Sequence, residues 1–458
     1  MSLKFGTSGV RGLVTDLQGQ PALRYVAAFL KHLQASGQMA GGRVLVGYDL
    51  RPSSPAIAED CLQAIAASGF EPVDCGAVPT PALALQAMKT GSAAVMITGS
   101  HIPADRNGLK FYKPAGEVSK DDEAGIVAAL SDADVPDAAH GAQDQHDETL
   151  KAYGVRCVAL LPKGALDGWK IGVFEHSTVS RDLIGQVLAA LGAEIVSLGR
   201  SDVFVPVDTE AFSDGLFAPL PDWVREQGLD AIVSADGDAD RPLVMDGKGN
   251  FVRGDALGLL AARFLGAKVV VTPVTSNSAI ERTGYFGKVV RTRVGSPFVV
   301  AGMDAADAVV GFEANGGTFV GAGFELTALP TRDAILPVIA ALGLAAQDGI
   351  SVAELVDRLP LQVAVANRLQ EVPSERSSAF LKRLQTDGGY AAEVFAPHEI
   401  ADVNAIDGLQ FHLTGGETVH FRASGNAPEL RSYVEAGTEA RAKELLAWSM
   451  AALEKAVR

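Results

Sequence analysis

Three segments of this chain repeat one order of elements: an apolar strand, a polar turn, an amphipathic helix that ends near a glycine, and a further strand. They begin at Arg43, Lys170 and Lys268. Strands that alternate with helices form parallel sheets with right-handed crossover connections. The repeat therefore predicts an α/β protein built from several similar units.

Each repeat is followed by a short apolar run that ends in a polar loop. The three runs are Ala93–Ser100, Asp230–Asp236 and Asp307–Glu313. In parallel α/β sheets, ligands bind beyond the carboxyl ends of the strands. We therefore expect the three loops to carry the functional residues, and their shared position in the repeat strengthens this interpretation.

The charge of the chain argues against two classes of partner. Its 458 residues carry a formal net charge of −16, whereas nucleic acids and anionic membranes attract clustered Lys and Arg. The chain begins without an apolar signal region, and its longest apolar run, Ala334–Ala346, predicts a buried helix rather than a membrane span. Cys61, Cys75 and Cys157 form no CxxC pair and are expected to be reduced, buried thiols. We expect a cytoplasmic protein.

The first polar loop, Thr98–Lys110, combines a serine, a histidine and a lysine. The Ser100 hydroxyl follows a glycine at a strand end, and His101 and Lys110 could carry protons or bind phosphate. For this loop taken alone, a polar surface turn is the simpler interpretation. A Ser-His-Asp hydrolase is a further alternative, but adjacent serine and histidine side chains are not expected to point at each other as that mechanism requires.

The second polar loop carries three carboxylates at alternate positions, Asp236, Asp238 and Asp240. Such a set can converge on one hard cation, for which Mg²⁺ is the natural candidate. An EF-hand is excluded because Arg241 and Gly247 stand where that loop needs Gly and Glu. A solvated acidic turn is the alternative, but unpaired carboxylates this close repel one another. The loop therefore predicts a metal site.

Two further loops carry groups that suit a phosphosugar. Glu313 and Asn315 stand among glycines at a strand end and could contact sugar hydroxyls, although a Gly-rich turn is an equal alternative. A later loop joins guanidinium, hydroxyl and amide groups in a possible phosphate cradle, with a hairpin turn as the alternative. Its residues are Arg422, Ser424, Gly425, Asn426 and Arg431. Arg11 could also reach an anion, and no Walker or Rossmann glycine motif indicates a nucleotide.

Together these loops resemble the motifs of the α-D-phosphohexomutases, within the phosphomannomutase/phosphoglucomutase group. The resemblance follows the family order across nearly the whole chain. Its most specific parts are the serine loop, Thr98–Lys110, and the aspartate loop, Asp236–Arg241. It rests on Phe5–Gly12, Gly47–Ser53, Val78–Pro81, Thr98–His101, Asn107–Lys110, Asp236–Arg241 and Arg422–Asn426.

The resemblance implies a role for each motif. Ser100 would be the phosphorylated residue and Lys110 the general acid and base. Further catalytic residues would be His101, Arg241 and Arg11. The ligands of a Mg²⁺ ion would be Ser100, Asp236, Asp238 and Asp240. The substrate-binding residues would be Glu313, Asn315, Arg422, Ser424, Gly425, Asn426 and Arg431. The reaction would interconvert hexose 1-phosphate and hexose 6-phosphate through a hexose 1,6-bisphosphate.

The resemblance also implies four domains around a central cleft, three similar α/β domains with mixed or parallel sheets and a smaller C-terminal α+β domain. The expected domains are a phosphoserine-loop domain at 1–150, a metal-binding domain at 151–252, a sugar-binding domain at 253–363 and a phosphate-binding domain at 364–458. We expect a small phosphosugar as the partner, and a chain that is a monomer or a weak dimer.

The sugar loop departs from the family pattern. The family usually shows Glu-x-Ser-Gly-His, whereas this chain has Glu313-Ala-Asn-Gly-Gly317. Pro297 also stands where a lysine is frequent, and Ile102 where an asparagine is common. The variant loop resembles some phosphomannomutase-like members, so mannose is favoured over glucose. A metal-dependent sugar-phosphate phosphatase and a catalytically weak sugar-phosphate-binding protein stay as alternatives.

Overall fold

The computed structural model of the chain describes residues 3–6, 9–39, 41–212, 215–304, 307–424 and 428–457. The chain divides into two units. The first unit comprises Met1–Val270 with Gly295–Arg358, and the second comprises Val271–Val294 with Leu359–Arg458. No helix among the described residues is long and apolar enough to cross a membrane.

The strands are numbered in chain order. They are β1 (Lys4–Phe5), β2 (Gly9–Leu13), β3 (Arg43–Tyr48), β4 (Glu71–Ala77), β5 (Ala93–Ile97), β6 (Arg106–Lys113), β7 (Gly116–Glu117), β8 (Gln143–Asp144), β9 (Lys170–Phe174), β10 (Glu194–Leu198), β11 (Ala231–Ala235), β12 (Pro242–Asp246), β13 (Val269–Pro273), β14 (Lys288–Thr292), β15 (Val309–Phe312), β16 (Thr318–Val320), β17 (Leu329–Asp333), β18 (Val363–Leu369), β19 (Ile400–Asn404), β20 (Leu409–Leu413), β21 (Thr418–Ala423) and β22 (Leu430–Ala436).

The helices are numbered in the same way. They are α1 (Val14–Leu17), α2 (Gln20–Ala35), α3 (Ser54–Ala67), α4 (Thr80–Thr90), α5 (Lys120–Ala129), α6 (His146–Val158), α7 (Arg181–Ala190), α8 (Leu220–Gln227), α9 (Gly254–Phe264), α10 (Ala279–Arg282), α11 (Ser296–Met303), α12 (Ile335–Asp348), α13 (Val352–Asp357), α14 (Ser374–Thr386), α15 (Gly388–Phe395) and α16 (Glu439–Val457).

The first sheet carries the serine loop. Its strand order is β1-β2-β6-β5-β3-β4-β8, with β3, β4, β5 and β8 parallel and β1, β2 and β6 antiparallel. All five residues of β5 are buried, which explains why this run is continuously apolar rather than alternating. The antiparallel strand β6 pairs Met96 with Lys110, and so brings the lysine beside the strand that leads to Ser100.

The second sheet carries the aspartate loop. Its order is β10-β9-β11-β12, with β9, β10 and β11 parallel and β12 antiparallel. The loop joins β11 to β12, so it emerges at the carboxyl end of a central, fully buried strand. At the other end of β12, Asp246 begins a tight turn that returns to an isolated bridge between Met245 and Phe251. The sequence Asp246-Gly-Lys-Gly-Asn250 predicts a hairpin turn here, and the structure confirms it.

The sugar loop lies in the first unit, between β15 and β16. These strands and β17 pair antiparallel in order, and α12 follows β17. Asp333, the last residue of β17, stabilises the start of this helix, because its Oδ1 accepts bonds from the backbone N–H groups of Ile335 and Leu336, two of the donors left free at a helix start. The predicted buried helix over Ala334–Ala346 is confirmed as α12, which ends at Gly349 with a φ of 63°.

The second unit contains an antiparallel sheet of order β18-β22-β21-β20-β19. Its core includes the aromatic side chains of Phe380, Phe395, Phe411 and Phe421, and α14 and α16 also contribute to it. The mixed α/β fold with several sheets confirms the predicted fold class. The three cysteines are buried and free, as predicted. The domain boundaries at 150, 252 and 363 stay a prediction.

Candidate functional site

Ser100 follows β5 after two residues and adopts a strained backbone conformation. Its φ of 54° lies in the left-handed region, which costs a residue with a side chain about 1–2 kcal/mol. Two contacts hold it there: Ser100 N donates to Thr98 Oγ1 at 2.7 Å, and Arg51 Nη2 donates to Ser100 O at 3.0 Å. Strain that the surroundings maintain in this way is typical of functional sites.

Asp49 and Arg51 support this loop, and the sequence analysis assigned neither a role. Both are buried. Asp49 accepts bonds from Thr98 Oγ1 at 2.7 Å and from Arg51 Nε at 3.2 Å. Arg51 donates to four loop carbonyls, those of Ser100, Ile102, Pro103 and Arg106. Both residues belong to the segment Gly47–Ser53, which resembles a phosphohexomutase motif. That resemblance did not indicate a function for either side chain.

We expect Asp49→Asn to destabilise the first unit by about 3–5 kcal/mol, since it leaves the buried Arg51 guanidinium without a counter-charge. Urea denaturation followed by tryptophan fluorescence measures the change. Asp134→Asn is the matched control, because Asp134 pairs with Arg24 at 2.6 Å but is 73% exposed, and it should cost less than about 1 kcal/mol. Equal effects of the two variants would refute the supporting role of Asp49.

The hydroxyl of Ser100 meets the aspartate loop. Ser100 Oγ donates to Asp236 Oδ2 at 2.6 Å, and it lies 3.3 Å from His101 Nδ1. The expectation that the adjacent serine and histidine would not face each other is therefore wrong, because the left-handed backbone at Ser100 turns the chain at this point. Within the described part of the chain, no carboxylate hydrogen-bonds to His101, so a Ser-His-Asp hydrolase triad is not assembled there.

The three aspartates converge, as the sequence predicted for a metal site. One carboxylate oxygen of each lies within 4.8 Å of the others, and all three residues are buried. Ala239 adopts a φ of 59°, and Asp236 Oδ1 accepts bonds from the backbone N–H groups of Asp240 and Arg241. Burial, followed by the charges of Asp238 and Asp240, raises the pKa of Asp236 well above its ordinary value. The loop thus holds mutually repelling carboxylates together.

The donor set of this cluster fits a hard divalent cation. The Oδ1 atoms of Asp238 and Asp240 are buried and have no hydrogen-bond partner, an expensive condition unless another group compensates it. Carboxylate oxygens are the ligands that Mg²⁺ prefers. Asp236, Asp238 and Asp240, with the Ser100 hydroxyl beside them, could therefore hold such an ion.

Lys110 lies inside the same cluster. Its Nζ donates to Asp238 Oδ2 at 2.5 Å and to Asp240 Oδ2 at 2.6 Å, and its side chain is buried. Thr80 supports the arrangement, since its Oγ1 donates to Asp238 Oδ2 at 2.6 Å and its N–H donates to Asp238 O at 2.9 Å. In the sequence, Thr80 is only part of the family-like segment Val78–Pro81. Its contact could not be predicted there, because it joins residues 158 positions apart.

Arg241, Arg11 and His101 surround the cluster with basic groups. Arg241 lies 3.7 Å from Asp240, 3.9 Å from Asp236 and 3.5 Å from Glu210. Desolvation, then the charges of Arg241 and Arg332, lowers the pKa of Arg11 to about 10, so this side chain keeps its charge at neutral pH. Desolvation, then the charges of Arg241 and Arg11, lowers the pKa of His101 to about 2. His101 is therefore neutral and offers hydrogen bonds rather than positive charge.

The sugar loop joins this cluster through Arg332, a residue that the sequence analysis missed. Glu313 Oε2 accepts a bond from Arg332 Nη1 at 2.9 Å, and Arg332 Nη2 lies 2.8 Å from Asp240 Oδ2. Asn315 Oδ1 accepts a bond from the N–H of Gly317 at 3.0 Å, which orders the turn. The sequence did not indicate a role for Arg332, because this residue lies on strand β17 and the functional residues were expected in loops.

The predicted phosphate cradle belongs to the second unit. Arg422 Nε donates to Asp407 Oδ2 at 2.7 Å, Arg431 Nη2 donates to Glu429 Oε2 at 3.1 Å, and Ser424 N donates to Glu429 O at 2.9 Å. Gly425 and Asn426 lie outside the described residues.

Three arginines stand side by side across this sheet. Arg431 on β22 is paired in register with Arg422 on β21 and with Arg368 on β18. Side chains at directly paired positions share one face of a sheet, where like charges repel. Carboxylates relieve this repulsion, since Glu429 lies 3.4 Å from Arg368 and 3.1 Å from Arg431, and Asp407 lies 2.7 Å from Arg422. Arg368 is a member of the row that the sequence analysis did not identify.

Family models match two parts of the chain. The description "Phosphoglucomutase/phosphomannomutase, alpha/beta/alpha domain I" applies to residues 2–136, and the corresponding domain III model matches residues 253–362.

Similar proteins extend the match to the full length. A phosphomannomutase of Sinorhizobium fredii is 47% identical over 100% of both chains. A phosphomannomutase of Salmonella muenchen is 41% identical over 95% of this chain and 92% of its own. A solved phosphoglucomutase/phosphomannomutase family protein from Burkholderia thailandensis has a TM-score of 0.82 at 21% identity and covers 99% of this chain and 97% of its own. This last likeness concerns the fold alone.

Proposed function

Because this chain belongs to the α-D-phosphohexomutase family and is a phosphotransferase isomerase of the phosphoglucomutase/phosphomannomutase type, we propose that it interconverts hexose 1-phosphate and hexose 6-phosphate through a phosphoserine at Ser100. Mannose phosphate is the proposed preferred substrate. The relatives named phosphomannomutase, at 47% and 41% identity, support this preference, as does the variant sugar loop.

One observation carries the proposal: the Ser100 hydroxyl donates to Asp236 at 2.6 Å. A serine that only capped a surface turn would have no reason to be buried against three carboxylates. Phosphoryl transfer needs a nucleophilic oxygen next to a site that neutralises the charge of the transferring group. Ser100 would supply the oxygen, and a cation held by the aspartate loop would neutralise the charge of the transferring group.

In the proposed reaction, phosphorylated Ser100 gives its phosphoryl group to the free hydroxyl of a hexose monophosphate. The bond from phosphorus to Ser100 Oγ breaks as a bond to the sugar oxygen forms, which yields a hexose 1,6-bisphosphate. The bisphosphate then turns round, and its other phosphate returns to Ser100. Lys110 is the proposed carrier of the hydroxyl proton, since its Nζ lies within the aspartate cluster that Ser100 contacts, 2.5 Å from Asp238 Oδ2 and 2.6 Å from Asp240 Oδ2.

Asp236, Asp238, Asp240 and Ser100 are the proposed ligands of Mg²⁺. When bound, Mg²⁺ would supply Lewis-acid stabilisation of the phosphoryl oxygens. Arg241 and Arg11, which carry positive charge beside the aspartates, would attract and orient the phosphate. His101 would act as a neutral hydrogen-bonding partner of the Ser100 oxygen.

The proposed substrate-binding residues belong to the sugar loop and to the predicted phosphate cradle. Glu313 and Asn315 would bind sugar hydroxyls. Arg422, Ser424, Gly425, Asn426 and Arg431 would bind the phosphate that is not being transferred, and Arg368 extends this basic row. The four domains at 1–150, 151–252, 253–363 and 364–458 would thus supply the serine, the metal, the sugar and the phosphate sites. We further propose that the protein is cytoplasmic and acts as a monomer or a weak dimer.

The decisive experiment separates a mutase from a phosphatase. The protein is incubated with mannose 1-phosphate, Mg²⁺ and a trace of mannose 1,6-bisphosphate, and mannose 6-phosphate and inorganic phosphate are both measured. We expect mannose 6-phosphate to accumulate without release of inorganic phosphate. Release of inorganic phosphate without the 6-phosphate would establish the phosphatase instead. The same assay with glucose and N-acetylglucosamine 1-phosphates ranks the hexoses.

A further inference from the structure

Arg332 is a buried arginine with two carboxylate partners from two different loops. Its Nε donates to Asp240 Oδ2 at 3.0 Å and its Nη2 lies 2.8 Å from the same oxygen, while Nη1 donates to Glu313 Oε2 at 2.9 Å. The side chain is 4% exposed. A guanidinium group suits this arrangement because its planar fork can bind two carboxylates at once, which an ammonium group cannot do with the same geometry.

The orientation of Arg332 follows from the alternation of side chains along β17. Thr331 donates to Glu117 at 2.6 Å, and Asp333 accepts bonds from Tyr153 at 2.6 Å and Arg156 at 3.1 Å. Successive side chains of a strand point to opposite faces. Arg332 therefore points away from the partners of its two neighbours and toward the aspartate loop.

Gly317 makes room for this arginine. A Cβ atom at this position would lie 2.6 Å from Arg332 Cδ, 2.7 Å from Arg332 Cγ and 2.8 Å from Asp240 O. The backbone of Gly317 is not left-handed, in contrast to Gly316 with its φ of 87°, so its conformation does not require glycine. Space is the constraint, and it is set by the stem of Arg332 together with the backbone oxygen of Asp240.

We propose that Arg332 is a positioning residue of the mutase reaction: it ties the aspartate loop to the sugar loop through Asp240 and Glu313. Gly317 is glycine because the Arg332 stem and the backbone oxygen of Asp240 fill the adjacent space. This inference rests on the function proposed above. Arg332 acts through its two partners. Its binding to Asp240 Oδ2 leaves the Oδ1 atom, which has no hydrogen-bond partner, as the oxygen available to a cation.

The role predicts a loss of selectivity as well as of rate. Arg332→Lys keeps the charge but loses the fork, and two charge-assisted hydrogen bonds are affected. We expect kcat/KM to fall about 30- to 100-fold. The ratio of kcat/KM for the preferred hexose phosphate over the next hexose should fall about tenfold, because a loosened Glu313 no longer distinguishes hydroxyl positions. Arg156→Lys is the matched control, a buried arginine that pairs with Asp333 on the other face of β17. Arg156→Lys should lower the melting temperature while leaving the ratio of kcat/KM between the two hexose phosphates unchanged.

A double-mutant cycle tests the contact between Arg332 and Gly317. Gly317→Ala alone should lower kcat/KM at least about tenfold. In an Arg332→Ala background its further effect should be at least about threefold smaller, since the stem is gone and only the contact with Asp240 O at 2.8 Å remains. Gly321→Ala is the matched control. Its Cβ would lie 2.9 Å from Val309 O, without contact to Arg332, and its effect should be the same in both backgrounds.

Binding of mannose 1-phosphate, measured by calorimetry in a Ser100→Ala background, gives a readout without turnover. Arg332→Lys should raise the dissociation constant about tenfold. Unchanged binding, an unchanged hexose ratio, or full additivity of Gly317→Ala with Arg332→Ala would overturn the inference. A wild-type protein that turns over no hexose phosphate would instead refute the proposed function, so the two failures are distinguishable.

Discussion

Replacing Ser100 with alanine is expected to abolish mutase turnover, with a fall in kcat of at least about 10⁴-fold. Loss of a covalent nucleophile removes the reaction path itself, and the groups that remain cannot substitute for it. Alanine keeps the Cβ atom, so the backbone strain at φ 54° is unchanged. The loss can therefore be ascribed to the hydroxyl, which donates to Asp236 at 2.6 Å.

The same substitution has a readout that is independent of turnover. After incubation with hexose 1,6-bisphosphate, intact-mass analysis should show one added phosphoryl group in the wild type and none in Ser100→Ala. Ser92→Ala is the matched control, because Ser92 is a buried serine that immediately precedes β5, and it should keep both turnover and phosphorylation. A wild type that never becomes phosphorylated, together with a Ser100→Ala variant that binds mannose 1-phosphate equally well, would favour the sugar-phosphate-binding alternative.

The second large effect is expected for Asp238→Ala. At fixed Mg²⁺ concentration, kcat/KM should fall at least about a hundredfold, since stabilisation by a Lewis acid is worth several kcal/mol. Asp238 has two functions in the cluster. Its Oδ2 accepts bonds from Lys110 and Thr80, and its Oδ1 is the buried oxygen without a partner. The substitution therefore removes a proposed metal ligand and one of the two carboxylates that Lys110 contacts.

Metal binding can be separated from the loss of rate by thermal denaturation. A ligand that binds only the folded state stabilises it by about 2.7 kcal/mol at a hundred times its dissociation constant. The melting temperature of the wild type should rise with added Mg²⁺, and that of Asp238→Ala should not.

Asp246→Asn is the control for this experiment, because Asp246 is a buried carboxylate at the far end of β12, where it accepts bonds from backbone N–H groups of its own turn. It should lower stability without removing the response to Mg²⁺. Unchanged turnover of Asp238→Ala, or an equal response of its melting temperature, would contradict the metal assignment.

The elements that depend on residues close together in the sequence were predicted correctly. The apolar run Ala334–Ala346 is α12, the turn after Asp246 is present, and the runs before Ser100, Asp236 and Glu313 are strands β5, β11 and β15. Each of these depends on residues close together in the chain, whose hydrophobicity and turn chemistry are visible without the fold.

The geometry of the serine loop was predicted less well. Ser100 and His101 were not expected to approach each other, yet Ser100 Oγ lies 3.3 Å from His101 Nδ1. The left-handed φ of Ser100 is not marked by any sequence pattern, because the contacts that maintain it depend on the fold. Arg51 is 49 positions away, and the neighbouring Thr98 hydroxyl is itself bound by Asp49, also 49 positions from Thr98. Neutral His101 was missed for the same reason, since its pKa is lowered by burial and by Arg241 and Arg11.

The order of elements and the chemistry of each loop could be predicted from the residues alone, because strand and turn propensities and the spacing of the three aspartates are local properties. Which loops meet could be seen only in the folded chain. Arg51, Thr80 and Arg332 carry no local signal, and each acts on a residue between 49 and 158 positions away. Such contacts depend on how strands from different sheets are brought together, and neither hydrophobic period nor loop composition encodes that pairing.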